Sequence, residues 1–250
     1  MMYGGLADIY DSFMSDADYK GLVDYIEEIL ESEKAKVDVV VDLGCGTGSF
    51  AVEMAKRDYD VIGIDNSVEM LSNAKNKAVD EDLDILLLQQ DMCEFELYDK
   101  ADLIVSFMDT VNYITDEKVL KKLFSNVNEF LEDDGLFIFD MNTPYKFEEI
   151  LADNTFHYVD DDVAYIWQSS YDKDKKYAEH DITMFAENED GSYERYDELH
   201  SQRCYEADEV KVYLEENNLK VKNIYCNRTF DEFSKDVKVD RIFFVCGKKV

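Results

Sequence analysis

The chain has 250 residues, 46% of them hydrophobic, with 58 acidic against 26 basic side chains and a formal net charge of −32. That length fits one large α/β domain, or one domain carrying an insertion, and the apolar fraction excludes global disorder. The acidity argues against nucleic-acid partners, because phosphate backbones are held largely by Lys and Arg.

No apolar run approaches the roughly 20 residues that span a bilayer. The start, Met1-Met2-Tyr3-Gly4-Gly5, lacks both a basic opening and an apolar signal core. These features predict a cytoplasmic protein with no membrane partner. Cysteines at 45, 93, 204, 226 and 246 form no C-x-x-C pair, as expected of reduced thiols. His157, His180 and His200 are 20 or more residues apart, so no metal site is expected.

The first segment of interest, Leu6–Asp11, is an aromatic-acid patch that includes Tyr10. Residues 18–31 follow, with Leu22, Val23, Ile26, Ile29 and Leu30 on one helical face. The spacing then predicts strand 37–42, helix 49–57, strand 60–65, helix 67–78, strand 84–90 and strand 101–106. Helix 116–131 follows, with Thr115 as its expected cap, and then strand 135–141 after an Asp-Asp-Gly turn. Strands alternating with helices imply a parallel sheet.

After Pro144, the only proline, the period changes to two. Segments 156–159, 163–171, 177–187 and 193–205 read as an antiparallel sheet, with Asn188-Glu-Asp-Gly191 as a hairpin turn. Helix 206–217 and strands 219–227 and 240–248 complete the chain. The expected organisation is a Rossmann-like doubly wound domain (1–142 and 206–250) with a seven-stranded, mostly parallel sheet. An antiparallel β lid (143–205) is inserted in it.

The run Val39-Val-Val-Asp42-Leu-Gly44-Cys45-Gly46-Thr47-Gly48 is the most specific local pattern. A dinucleotide loop would read G-x-G-x-x-G, to seat a pyrophosphate on the helix N-terminus. This loop reads G-x-G-x-G and follows Asp42, which disfavours an anion and welcomes a cationic amino group. A second strand ends on Asp65, placed for ribose hydroxyls.

Together with Asp65-Asn-Ser-Val-Glu-Met-Leu71, Leu86-Leu-Leu-Gln-Gln-Asp91-Met92, Asp102-Leu-Ile-Val-Ser-Phe107 and Gly135-Leu-Phe-Ile-Phe-Asp140, the loop resembles the ordered motifs of class I S-adenosylmethionine-dependent methyltransferases. The resemblance covers roughly the whole chain and lies nearest the small-molecule enzymes with an inserted β lid. It implies S-adenosyl-L-methionine as cofactor. Asp42, Gly44, Cys45, Gly46 and Gly48 would form its loop, and Asp65 would hold the ribose diol. Asn66 and Met70 would flank the adenine, with Asp91 and Met92 near its amino group. Phe107 would stand at the end of the fourth strand, and Tyr10 over the methionine end.

Ligands of open α/β sheets bind beyond the carboxyl ends of the strands. Asp109, Asn112 and Tyr113 follow the fourth strand there and are candidates for orienting the acceptor. No proline accompanies them, and no cysteine lies between 94 and 203, so the resemblance does not extend to enzymes that methylate nucleobases. On the inserted strands, Tyr196, His200 and Gln202 share one face, and Tyr165, Trp167 and Tyr171 share another. Asp109, Tyr113 and His200 are therefore the expected catalytic residues. Asn112, Tyr113, Trp167, Tyr196 and His200 are the expected acceptor contacts, with His200 a candidate proton acceptor. The expected activity is methyl transfer to a small-molecule amine or hydroxyl by a monomer or homodimer. The rival readings are a protein or RNA methyltransferase and a non-catalytic sensor or scaffold.

Overall fold

The computed structural model describes residues 10, 11, 13, 14, 17–160, 163–188 and 190–249. Of the expected N-terminal patch, Tyr10 and Asp11 fall within that range and Leu6–Ile9 lie outside it.

Helix α1 (Tyr19–Glu33) starts where the Asp18 side chain accepts the Gly21 N–H at 2.8 Å. The wound core then runs β1 (Val39–Leu43), α2 (Ser49–Ala55), β2 (Asp60–Asp65), α3 (Val68–Asp80), β3 (Ile85–Gln89), β4 (Ala101–Ser106), α4 (Glu117–Phe130) and β5 (Leu131–Asn142). After the insertion come α5 (Ala207–Glu216), β10 (Leu219–Cys226) and β11 (Arg241–Lys248). The seven strands lie in the order β10-β11-β5-β4-β1-β2-β3. Strands β1 to β5 are parallel to one another, and β11 runs antiparallel between β5 and β10.

Side chains alternate across a strand, so the sheet has two apolar faces. Val41 and Leu43 pack with Leu120, Phe124 and Val127 of α4 and Val210 of α5. Val40, Leu103 and Val105 pack on the other face with Ile26 and Ile29 of α1 and Phe50 of α2. All five cysteines are free and buried.

The cap of α4 is Asp116, whose Oδ1 accepts the Lys118 N–H at 2.7 Å, and not the expected Thr115. The strand before the insertion also begins earlier than its turn signal suggests. Leu131 already pairs with Ala101, and the register slips before Leu136 meets Leu103. The Asp-Asp-Gly signal therefore marks an irregularity inside β5.

Two short turns were not legible in the sequence: a 3₁₀ turn at Thr110–Tyr113 and a π-helical turn at Lys146–Leu151. The inserted sheet comprises β6 (Thr155–Val159), β7 (Val163–Asp172), β8 (Tyr177–Glu187) and β9 (Tyr193–Arg203), each antiparallel to the next. Phe147 and Leu151 of the π turn, with Ala178 and Cys204, form a small separate core beneath it.

Among the described residues no helix is long and apolar enough to cross a membrane. None of them form a cluster of three or more His, Cys, Asp or Glu that could hold a metal.

Candidate active site

The carboxyl ends of β1, β2 and β4 open into a cavity of about 890 Å³ that continues beneath the inserted sheet. Its floor is the glycine loop. Gly44, Gly46 and Gly48 all have positive φ, a conformation open to glycine and strained for other residues. Their surroundings separate them. A Cβ on Gly44 would meet Thr110 Cγ2 at 2.6 Å, and one on Gly48 would meet Ala74 Cβ at 2.8 Å. A Cβ on Gly46 would meet nothing within 4 Å. Gly44 and Gly46 line the cavity, whereas Gly48 is spent on packing α2 against α3.

Two acids flank this loop. Asp42 is 3% exposed, and its Oδ2 has no hydrogen-bond partner among the described residues. Burial, reinforced by the nearby Asp65 charge, raises its pKa to about 7. A cationic ligand would offset that cost. Asp65 takes the Gly46 N–H on Oδ2 at 2.9 Å and the Ser67 N–H on Oδ1 at 2.8 Å. It is thereby fixed at the lip of the cavity, each oxygen keeping a lone pair for a hydroxyl. Asn66, Met70, Asp91, Met92, Cys45 and Phe107 all line the same cavity. Asp91 is steadied by the Cys93 N–H at 2.8 Å. An adenosine-sized ligand with a cationic amino group thus fits the donor set.

The N-terminal segment closes one side. Tyr10, Phe13 and Met14 line the cavity. Asp11 bonds the Thr47 hydroxyl at 2.7 Å and the Lys77 ammonium at 2.6 Å. Phe13 meets Tyr165 of β7 edge to face at 5.6 Å.

The reaction end is built on Asp109–Tyr113. Asp109 has φ 53 and precedes the 3₁₀ turn, yet its side chain does not cap it. Its Oδ1 accepts from Arg241 at 2.6 Å and its Oδ2 from the Gln202 amide at 2.7 Å. Arg241 also reaches Asp140 at 2.7 Å. Asp109 is desolvated, but the Arg241 and Lys146 charges and the Gln202 bond still hold its carboxyl below the usual range. It is a fixed anion with both oxygens engaged.

Tyr113 and His200 line the cavity together, the Tyr113 hydroxyl 3.0 Å from His200 Nδ1. Desolvation, then the His180 charge, lower the His200 pKa to about 4. His200 is therefore a neutral imidazole at neutral pH and a weaker base than an exposed histidine.

Two expected acceptor residues lie elsewhere. Asn112 is fully buried outside the cavity lining. Its Nδ2 donates to the Arg203 carbonyl and its Oδ1 accepts the Asn142 N–H, both at 2.9 Å, so the amide staples β9 to β5. Tyr196 sits beside Met184 in the β8–β9 register, and it too is absent from the cavity lining. The strand alternation is as expected, and the cross-strand partner Met184 lines the cavity where Tyr196 does not. Trp167 does line the cavity, as does Tyr165, while Tyr171 stacks on Phe147 at 5.7 Å.

The sequence reading missed Lys146, His180 and Arg241. His180 directly opposes His200 across the β8–β9 pair, so its place could be found only once the register was known. Arg241 reaches the site because β11 lies beside β5.

Comparison with known proteins agrees with this architecture. Residues 40–135 match the family described as a methyltransferase domain. A "putative methyltransferase" of Geobacillus sp. is 36% identical over 250 residues, covering 99% of this chain and 100% of that protein. The crystal structure of an S-adenosylmethionine-dependent methyltransferase from Clostridium acetobutylicum superposes with a TM-score of 0.89 at 32% identity, over 99% of both chains. The dTDP-3-amino-3,4,6-trideoxy-alpha-D-glucopyranose N,N-dimethyltransferase of Streptomyces venezuelae is 29% identical over 149 residues, 59% of this chain and 60% of that enzyme.

Proposed function

The chain belongs to the class I S-adenosylmethionine-dependent methyltransferases, and on that premise we propose that its acceptor is a small molecule, methylated on an amine or hydroxyl beneath the inserted sheet. The carrying observation is the single cavity shared by Gly44, Gly46 and Asp65 at one end and by Tyr113, Trp167 and His200 at the other. Such a space, roofed by a sheet, suits a small ligand, since pockets of about 300–1,000 Å³ hold drug-sized molecules. The aminosugar dimethyltransferase of Streptomyces venezuelae supports an amine among the possible acceptor groups.

The bound cofactor supplies a methyl group on a sulfonium, which an acceptor lone pair can attack. The chain's part is positioning, the contribution that dominates when two reactants must meet in line. Asp42 would face the cofactor's amino group and Asp65 its ribose hydroxyls. Tyr113 and the neutral His200 would aim the acceptor's lone pair. An acceptor ammonium would lose its proton to water as it is desolvated, since His200, at about 4, does not hold a proton at neutral pH.

The test uses cofactor labelled on its methyl group and a cell extract separated into small-molecule, protein and RNA fractions. Label appearing in the small-molecule fraction, with matching release of S-adenosylhomocysteine, is the expected result. Label confined to protein or RNA would overturn the acceptor class.

A further inference from the structure

We propose that the acceptor carries an oxyanion, a carboxylate or a phosphate ester, received by the Trp167 indole N–H, the His180 imidazole and the Lys146 ammonium. The proposal rests on the small-molecule reading above and narrows its substrate class.

The three groups line the same cavity, and the Lys146 charge is felt at the His180 ring. Trp167 Nε1 is buried and has no hydrogen-bond partner among the described residues. An indole nitrogen can only donate, and a buried donor without an acceptor is costly. His180 meets the Trp167 ring edge-on at 5.3 Å, so the two side chains share one corner. Its Nδ1 lies 3.0 Å from the hydroxyl of Ser169, a residue only 5% exposed. That hydroxyl needs an acceptor for its own proton. Donation to Nδ1 supplies one, which places the imidazole hydrogen on Nε2. Nε2 is buried and likewise has no close hydrogen-bond partner among the described residues, although the Gln202 side chain lies alongside and favours a proton on the ring.

Lys146 supplies the charge. Its Nζ donates to Asn142 Oδ1 at 2.9 Å, and among the described residues no carboxylate lies within ion-pair distance of it. Three acids act on it from further away, Asp109, Asp140 and Asp240, and the first two are already engaged. Asp109 is held by Arg241 and Gln202, and Asp140 by Arg241 and two backbone N–H groups. Every unused polar atom assembled here from these three residues is a donor. An oxyanion meets these donors with lone pairs alone and its charge answers the Lys146 ammonium, whereas a ligand hydroxyl brings a further proton and no charge.

The chain's only tryptophan stands in this corner, so intrinsic fluorescence reports on it directly. The protein saturated with S-adenosylhomocysteine would be titrated at constant ionic strength with succinate, glycerol 3-phosphate, succinamide and glycerol. A saturable change with succinate or glycerol 3-phosphate, and none with the neutral pair, is expected. The anion that saturates identifies carboxylate or phosphate as the source. Lys146→Met and Ser169→Ala should each weaken that anion roughly tenfold or more, with S-adenosylhomocysteine affinity unchanged by calorimetry. Ser169→Ala removes the hydroxyl that fixes the His180 tautomer without altering the cavity wall. Equal responses to neutral and charged probes, or no saturable response to either anion, would overturn the proposal. Failure to bind S-adenosylhomocysteine would instead remove the cofactor reading, and titration of the unliganded protein would still decide the oxyanion question.

Discussion

Gly46 and Gly48 have the same backbone conformation and opposite neighbourhoods, and they should fail in different ways when mutated. Either change to Ala costs about 1–2 kcal/mol for the left-handed backbone. Gly48→Ala adds a clash with Ala74 and should lower the melting temperature further. Gly46→Ala meets no protein atom, so the fold should persist while S-adenosylhomocysteine affinity falls about tenfold or more. Equal affinities for the two variants would show that Gly46 does not face the ligand.

Asp42 carries a pH dependence whose sign follows from its environment. Its folded pKa of about 7 is above the ordinary value, so folding favours the protonated acid. In the unliganded protein its contribution to stability is full below the unfolded pKa and is lost as pH rises through about 7. A bound cationic amino group favours the carboxylate and reverses that preference. Cofactor affinity should therefore increase from about pH 5.5 to about pH 7, by at most tenfold per unit, and then level. Calorimetry checks this, and Asp42→Asn should flatten the curve. An affinity equally high at the acid end would separate Asp42 from the amino group. The sequence announced both Asp42 and Gly46, because loop chemistry is local. It could not announce Lys146 or His180, whose roles depend on which strands lie beside them.

At the scale of elements, one turn ties the inserted sheet to the parent sheet. Asn112 bonds the Arg203 carbonyl, Tyr113 meets His200, and Asp109 receives Gln202, so the Asp109–Tyr113 segment grips the end of β9 at each of its chemically important positions. Asn112→Ala would leave the Asn142 N–H and the Arg203 carbonyl unpaired in a buried place. The expected loss, on the order of 3 kcal/mol, would appear in urea unfolding as a lower midpoint with unchanged slope. A loss under about 1 kcal/mol would deny Asn112 the staple role. The helices and strands were legible because their apolar periods run for many residues. The 3₁₀ and π turns were not, since each is too short to show a period. Asn112 was misread for the same reason: position after a strand end suggests a ligand contact, and only the fold shows that both ends of the amide are engaged by backbone.

Over the whole molecule, a net charge of −32 acts as self-repulsion in the compact state. Raising the salt from about 0.05 to about 0.5 M should raise the melting temperature, as screening shortens the reach of that repulsion. A melting temperature indifferent to salt would mean that the charges are too dispersed to matter. The same charge should prevent retention of tRNA at near-physiological salt, and submicromolar binding would contradict it. Composition alone carried this reading. The seven-stranded, mostly parallel sheet was likewise legible from the ordered motifs, but the register that places His180 opposite His200 was not.

The five buried cysteines have a consequence in time. Burial pushes every one of their thiols upward, Cys93 to about 12 and Cys204 to about 11. Only a thiolate reacts with an alkylating reagent, so the native chain should stay unlabelled near neutral pH until it opens. Alkylation then becomes a clock for opening events, read by mass at each of five places along the chain. Cys45 in the glycine loop and Cys204 in the small core beneath the inserted sheet would time the floor of the cavity and the insertion separately. S-adenosylhomocysteine should slow the clock at Cys45 by a factor that grows with its concentration over its dissociation constant. A Cys204 rate that slows in step would mean that floor and roof open as one body.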